Sequence, residues 1–150
     1  MLSFARCMLA VFATAFSVVA SFQLLRGEWL RLVIGKRNLP QQESADQRES
    51  DRMTARNAAF VSLSFSASVA SLLIAEIAQE AGALLLFQAF TLVCDAATVA
   101  FLVTVVLLYV RLGRASNVTR AMFDAGNMRV TVFVLVQVVA MTAISLLFSL

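Results

Sequence analysis

Four apolar stretches, each about twenty residues or longer, constrain this chain more than any other feature of its sequence. They cover residues 4–25, 58–77, 83–110 and 130–150. About 20 apolar residues in a helix cross the hydrocarbon core of a bilayer, where every backbone polar group needs a hydrogen bond within the protein. We therefore predict an all-α membrane protein, a single domain in which four transmembrane helices form a bundle.

The composition agrees with this class and argues against several functions. Charged residues make up 14% of the chain, whereas soluble domains carry about 25%. The sequence has no His, which is the commonest acid–base catalyst and metal ligand, and it contains no phosphate-binding, nucleophile or metal-ligand motif. We expect no enzymatic activity, no cofactor and no bound metal. The basic residues lie in the links between spans, so we expect no nucleic-acid binding.

Two of the stretches allow a second interpretation. The first begins with Arg6 and resembles a secretory signal peptide, but its apolar run reaches Leu25, so we predict a retained span. In the second, four serines alternate with apolar residues at the period of a β-strand: Ser62, Ser64, Ser66 and Ser68. A lone strand leaves its backbone unpaired in lipid, and the run is too long for one strand, so we predict a helix.

The charge of the links predicts the orientation in the membrane. The first link, residues 26–57, and the third, residues 111–129, together hold eleven of the twelve basic residues. These two links lie on one side of a four-span protein, and the positive-inside rule places that side inside. Both termini are then outside, on the intermembrane or periplasmic side. A glycosylation sequon at Asn117 favours the opposite orientation, but it lies close to a membrane end, where glycosylation is awkward.

The first link has a helical pattern of its own. Apolar residues recur at helical spacing around Trp29, which predicts an amphipathic helix at the membrane interface. After Pro40, a polar helical extension is predicted to run into the second span. The residues of this link that we expect to dock anionic lipids or an acidic partner are Trp29, Arg31, Lys36, Arg37, Arg48, Arg52 and Arg56.

Asp95 lies near the middle of the third span. A charge there costs at least ~2.5–3.5 kcal/mol, so such a residue normally has a polar partner. The possible partners within the spans include Gln137, Thr98, Thr91 and the serines of the second span. Three roles remain open for Asp95. It is a protonated carboxyl that links helices, a carboxylate paired with a cation of another subunit, or part of an ion or proton path.

Small residues at four-residue spacing mark three predicted packing faces. Such stripes let helix backbones approach closely, within the bundle or against a neighbour. They are Ala13, Ser17 and Ser21 on the first span, Ala67, Ser71 and Ala75 on the second, and Ala96, Ala100 and Thr104 on the third. We interpret Cys7 and Cys94 as unpaired small apolar residues, and Glu76 with Glu80 as a solvated helix end.

The functional prediction rests on the absence of catalytic and metal-binding motifs from the sequence and on the presence of packing faces and a basic loop. We expect a non-catalytic accessory or structural subunit of a larger membrane complex, with other membrane subunits and anionic lipids as partners. A mitochondrial inner membrane or a bacterial plasma membrane is the expected location. The alternative is a small oligomeric channel or transporter that uses Asp95.

Overall fold

The computed structural model describes residues 4–27, 45–112 and 128–149, and nearly all of them are helical. The described residues form α1 (Phe4–Arg26), α2 (Ala45–Glu80), α3 (Leu84–Leu112) and α4 (Met128–Ser149). Each helix contains a stretch long and apolar enough to cross a membrane. The all-α class and the four apolar helices are therefore confirmed. The interfacial helix predicted around Trp29 lies outside the described residues.

Helix α2 is longer than the span predicted for it. It begins at Ala45 and continues without a break into the apolar part, so the polar extension ahead of the second span is helical. Its alternating serines are helical as well. The hydroxyls of Ser64 and Ser66 donate to the backbone carbonyls four residues earlier, both at 2.9 Å. This bonding satisfies the hydroxyls within the helix and makes serine tolerable at membrane depth.

A tight turn joins α2 to α3. The N–H of Ala83 donates to the carbonyl of Ala78 at 2.9 Å, and the N–H of Gly82 donates to the carbonyl of Gln79 at 3.1 Å. These two bonds form a Schellman motif, which pairs carbonyls that the helix end leaves free. Gly82 adopts a φ of 71°, a left-handed conformation that glycine reaches without a Cβ clash. The turn therefore sets α2 and α3 side by side in opposite directions.

Helix α2 is the centre of the bundle. It packs along both α1 and α3, whereas α4 makes smaller contacts with α1 and α2. Over the most apolar stretch of each helix, 56% of α2 is buried but only 11% of α3. The side chains of α3 that do reach the interior include Phe101, whose ring lies 6.2 Å from that of Phe65 on α2. Most of α3 therefore faces away from the chain's own bundle.

All the arginines of the described helices except Arg6 lie at one end of the bundle, here called the basic end. Arg111, near the end of α3, donates to the side-chain oxygen of Asn57 on α2 at 3.0 Å. The pocket that Arg26 shares with Arg52 and Arg56 places the end of α1 at the same level, and a side-chain hydrogen bond between Tyr109 and Thr131 places the start of α4 there. The basic end carries Arg26, Arg52, Arg56, Arg111 and Arg129, whereas the described residues of the opposite end include Arg6, Glu76 and Glu80.

Candidate functional site

Asp95 lies on the outer surface of α3. It is the twelfth residue of a 29-residue helix, so its Cα lies about 16 Å along the axis from the first residue. The side chain is exposed, and the residues one turn before and after it, Leu92 and Val99, are 70% and 60% exposed. No residue in the described part of the chain hydrogen-bonds or ion-pairs with its carboxyl group. An acidic group thus sits in the middle of an apolar, outward-facing surface.

The residue before Asp95, Cys94, points into the contact between α2 and α3. The Sγ of Cys94 donates to the backbone carbonyl of Ser68 at 3.5 Å. The Thr98 hydroxyl donates to the Cys94 carbonyl at 2.8 Å, so the Ser68 hydroxyl, 2.7 Å away, must be the donor to Thr98. Because successive helical residues are rotated by about 100°, the polar contact that holds α3 to α2 turns Asp95 outward.

Gln137 of α4 lies in the interior but does not meet Asp95. Its Nε2 donates to the hydroxyl of Ser62 on α2 at 2.6 Å, and both side chains are buried. The Oε1 of Gln137 is also buried, and no described group pairs with it. This bond ties α4, the least extensively packed helix against α2, to the centre of the bundle. The structure thus pairs Gln137 with Ser62, although the sequence indicates both residues only as possible partners of Asp95.

The small-residue faces divide between the interior and the surface. On α1, Ser17 and Ser21 are buried and Ala13 is half-buried, so that stripe packs inside. The α2 stripe is split, because Ser71 and Ala75 are buried but Ala67 is exposed. The third stripe lies mostly outside: Ala96 and Ala100 are exposed and Thr104 is half-buried. The exposed alanines therefore adjoin Asp95 on the free surface of α3.

A pocket of about 600 Å³ opens at the basic end between α1 and α2. Its lining includes Arg26, the last residue of α1, together with Arg52 and Arg56, which lie on one stripe of α2. Sequence reasoning selected Arg52 and Arg56 but missed Arg26, although a base at the end of the first span was visible. The side chain of Arg48 and the whole of Trp29, Arg31, Lys36 and Arg37 lie outside the described residues.

The remaining candidate groups stay apart from these features. Cys7 and Cys94 are free thiols on different helices. Glu76 is half-buried and Glu80 is exposed in the last two turns of α2. Across residues 4–27, 45–112 and 128–149, no three potential metal ligands lie together. No protein-family model, curated protein or solved structure matches the chain, so its function is inferred from its own residues.

Proposed function

We propose that this chain is a non-catalytic accessory or structural subunit of a larger membrane complex. The observation that carries the proposal is the exposed position of Asp95 halfway along α3. In lipid, a carboxylate at that depth costs at least ~2.5–3.5 kcal/mol, and residues of this kind almost always face protein or a water-filled cavity. The described part of the bundle leaves Asp95 on the outside, which supports a neighbouring chain as the source of its polar partner.

The surroundings of Asp95 support a helix as that neighbour. Ala96 and Ala100 are exposed beside it, and small side chains allow two helix backbones to approach closely. Without a hydrophobic driving force between helices in lipid, such packing and interhelical hydrogen bonds provide the association energy. A partner helix placed along this surface would cover most of the exposed side of α3 and would meet the carboxyl group.

The location forms part of the proposal. The basic end holds five of the described arginines, and the positive-inside rule assigns such an end to the inner face. The termini then face the intermembrane or periplasmic side. We propose an energy-transducing membrane, either the mitochondrial inner membrane or the bacterial plasma membrane, as the location of the complex.

Photo-crosslinking in the native membrane tests the proposal. A photoreactive residue at Val99 should capture a different protein chain, because Val99 lies one turn from Asp95 and is 60% exposed. Val136 on α4 is a matched control, since it is a valine with 62% exposure on another helix. Purification in a mild detergent should yield the same partner. A monodisperse particle of one or two copies, without any other chain, would contradict the proposal.

Two substitutions separate the roles of the carboxyl group. Asp95→Asn keeps hydrogen-bonding capacity, whereas Asp95→Leu removes it. If Asp95 is a protonated hydrogen-bond donor, Asn should retain the partner and Leu should lose it. If it pairs with a cation of the partner, both variants should lose it. Retention of the partner by both variants would show that Asp95 does not hold the complex together.

The alternative is a small oligomeric channel or transporter. The outward position of Asp95 favours one version of it, in which the path runs between copies of the chain and each copy contributes its α3 surface. Crosslinking at Val99 would then capture only a second copy. Asp95→Asn should abolish ion flux in reconstituted vesicles while leaving the oligomer intact, and flux that survives this substitution would exclude the channel hypothesis.

A further inference from the structure

The pocket at the basic end has the residues and the position of a lipid headgroup site. We propose that it binds the phosphate group of an anionic phospholipid. The proposal does not depend on the chain's role in a complex, because it concerns a site that lies within one copy. It rests on the charge of the pocket, on its depth relative to the spans and on the apolar side chains at its edge.

Three arginines contribute to the lining of the pocket: Arg26, Arg52 and Arg56. Arginine presents a planar set of donors that matches phosphate oxygens in pairs. The guanidinium of Arg56 also lies over the ring of Phe60, 5.8 Å from its centroid, in a cation–π contact that leaves its positive charge in place.

The negative groups near the pocket do not cancel this charge. Glu49 contributes one carboxylate, and no ion pair joins it to the three arginines within the described residues. The carboxyl-terminal end of α1 adds only a partial negative charge, roughly half an elementary charge. Among the described lining residues, three full positive charges therefore stand against about one and a half negative ones. The volume of about 600 Å³ exceeds what a phosphate needs and lies in the usual range for small-ligand sites.

The depth of the pocket corresponds to the headgroup layer. Arg26 is the last residue of α1, and Arg52 and Arg56 lie within two turns before Ala58, where the apolar run of α2 begins. Both helices thus leave the hydrocarbon at the level of the pocket. Leu25 and Met53, about half exposed, belong to its lining. They offer an apolar edge for the first part of an acyl chain, which free phosphate would not use.

Lipid binding to the full chain in dodecyl maltoside tests the site. Fluorescent phosphatidylglycerol should bind with a measurable change in anisotropy, and unlabelled phosphatidylglycerol should displace it at least ~10-fold more effectively than phosphatidylcholine. Replacing Arg26, Arg52 and Arg56 by Gln should weaken binding roughly 100-fold, since each base near an anionic headgroup contributes about five-fold. A double Arg111→Gln, Arg129→Gln variant removes charge from the same end outside the pocket and should change binding less than ~3-fold.

A second variant keeps the test independent of the folding of the triple variant. Glu49→Gln removes the carboxylate of the pocket and should tighten phosphatidylglycerol binding several-fold, because Glu49 is exposed and carries no structural contact in the described residues. Unchanged affinity in both the triple variant and Glu49→Gln would overturn the site. Displacement by millimolar inorganic phosphate as effective as that by the lipid would overturn the assignment to a phospholipid. Equal weakening of binding in the control double variant would show that the effect comes from the general surface charge of the basic end and not from the pocket.

Discussion

The bond between Ser62 and Gln137 gives the sharpest prediction about stability. The Nε2 of Gln137 donates to the Ser62 hydroxyl at 2.6 Å, while the Oε1 of the same amide is buried without a described partner. Ser62→Ala removes the acceptor and leaves both ends of the amide unpaired. Gln137→Leu removes the bond together with the unpaired oxygen. The two single substitutions should therefore change the free energy of unfolding by different amounts, although they break the same bond.

The magnitude follows from measurements on helices in lipid. Interhelical hydrogen bonds there contribute about 0.6 kcal/mol on average and about 1.7 kcal/mol at most. The short, fully buried contact places this bond in the upper part of that range. Ser62→Ala should thus lower the free energy of unfolding by about 1–2 kcal/mol, because an unpaired buried amide adds to the loss. Gln137→Leu should lower it by less than ~1 kcal/mol, since it also removes the buried amide that Ser62→Ala leaves unpaired.

Pulse proteolysis across a titration of SDS in dodecyl maltoside measures these free energies without added labels. The double variant closes the cycle and should show a coupling of about 0.6–1.7 kcal/mol between the two positions. Ser64→Ala is the matched control, because the Ser64 hydroxyl donates only to the carbonyl of Phe60 in its own helix. Its effect should stay within about 0.5 kcal/mol. A coupling near zero, or equal losses for Ser62→Ala and Ser64→Ala, would refute the reasoning.

Two further predictions concern the turn and the orientation. Gly82→Ala should lower the free energy of unfolding by about 1–2 kcal/mol, because a φ of 71° strains an L-residue although open space surrounds the Cβ. Gly82→Asn should lower it by less. A lower free energy of unfolding for the Asn variant than for the Ala variant, measured by pulse proteolysis, would contradict the left-handed conformation. The orientation can be tested by cysteine labelling in a chain without Cys7 and Cys94. A membrane-impermeant maleimide added from the outside should label a cysteine at Ala81 but not one at Gly27, because Ala81 lies at the end opposite the basic end. The reverse pattern would show that the basic end faces outward.

The length and apolar character of the four runs explain why the helices were predictable from the sequence. Lipid offers no partner to a backbone N–H or C=O, so any long apolar run must be helical, whatever its local propensity. This constraint overrides the strand-like alternation of serines from Ser62 to Ser68, and α2 is a continuous helix. It also makes the ends of the helices the least predictable parts. Polar residues before Ala58, and Gln79 and Glu80 after Ile77, continue the helix beyond the apolar run, and hydropathy does not indicate where it ends.

The rotation of each helix was not predictable for a related reason. Helix α3 is apolar on every side, so periodicity contains no information about which face meets α2. The sequence therefore indicated that Asp95 needs a partner but not where the side chain points. The pairing of Gln137 with Ser62 likewise requires the relative rotation and depth of α2 and α4. Only side-chain contacts in the structure show how the helices are rotated: Ser62 with Gln137 for α2 and α4, and Ser68 with Thr98 for α2 and α3.

The distribution of polar groups in the bundle bears on what the chain is for. In lipid, apolar surface gives helices little reason to associate, so polar contacts and close packing decide which helices meet. The described part of this chain directs its polar contacts inward, where Ser68 meets Thr98 and Ser62 meets Gln137. Asp95, the most costly polar group in the spans, lies instead on the helix that the bundle covers least. A carboxyl group that has no polar partner among the described residues, and that would be unfavourable in lipid, supports our proposal of an assembly with another chain.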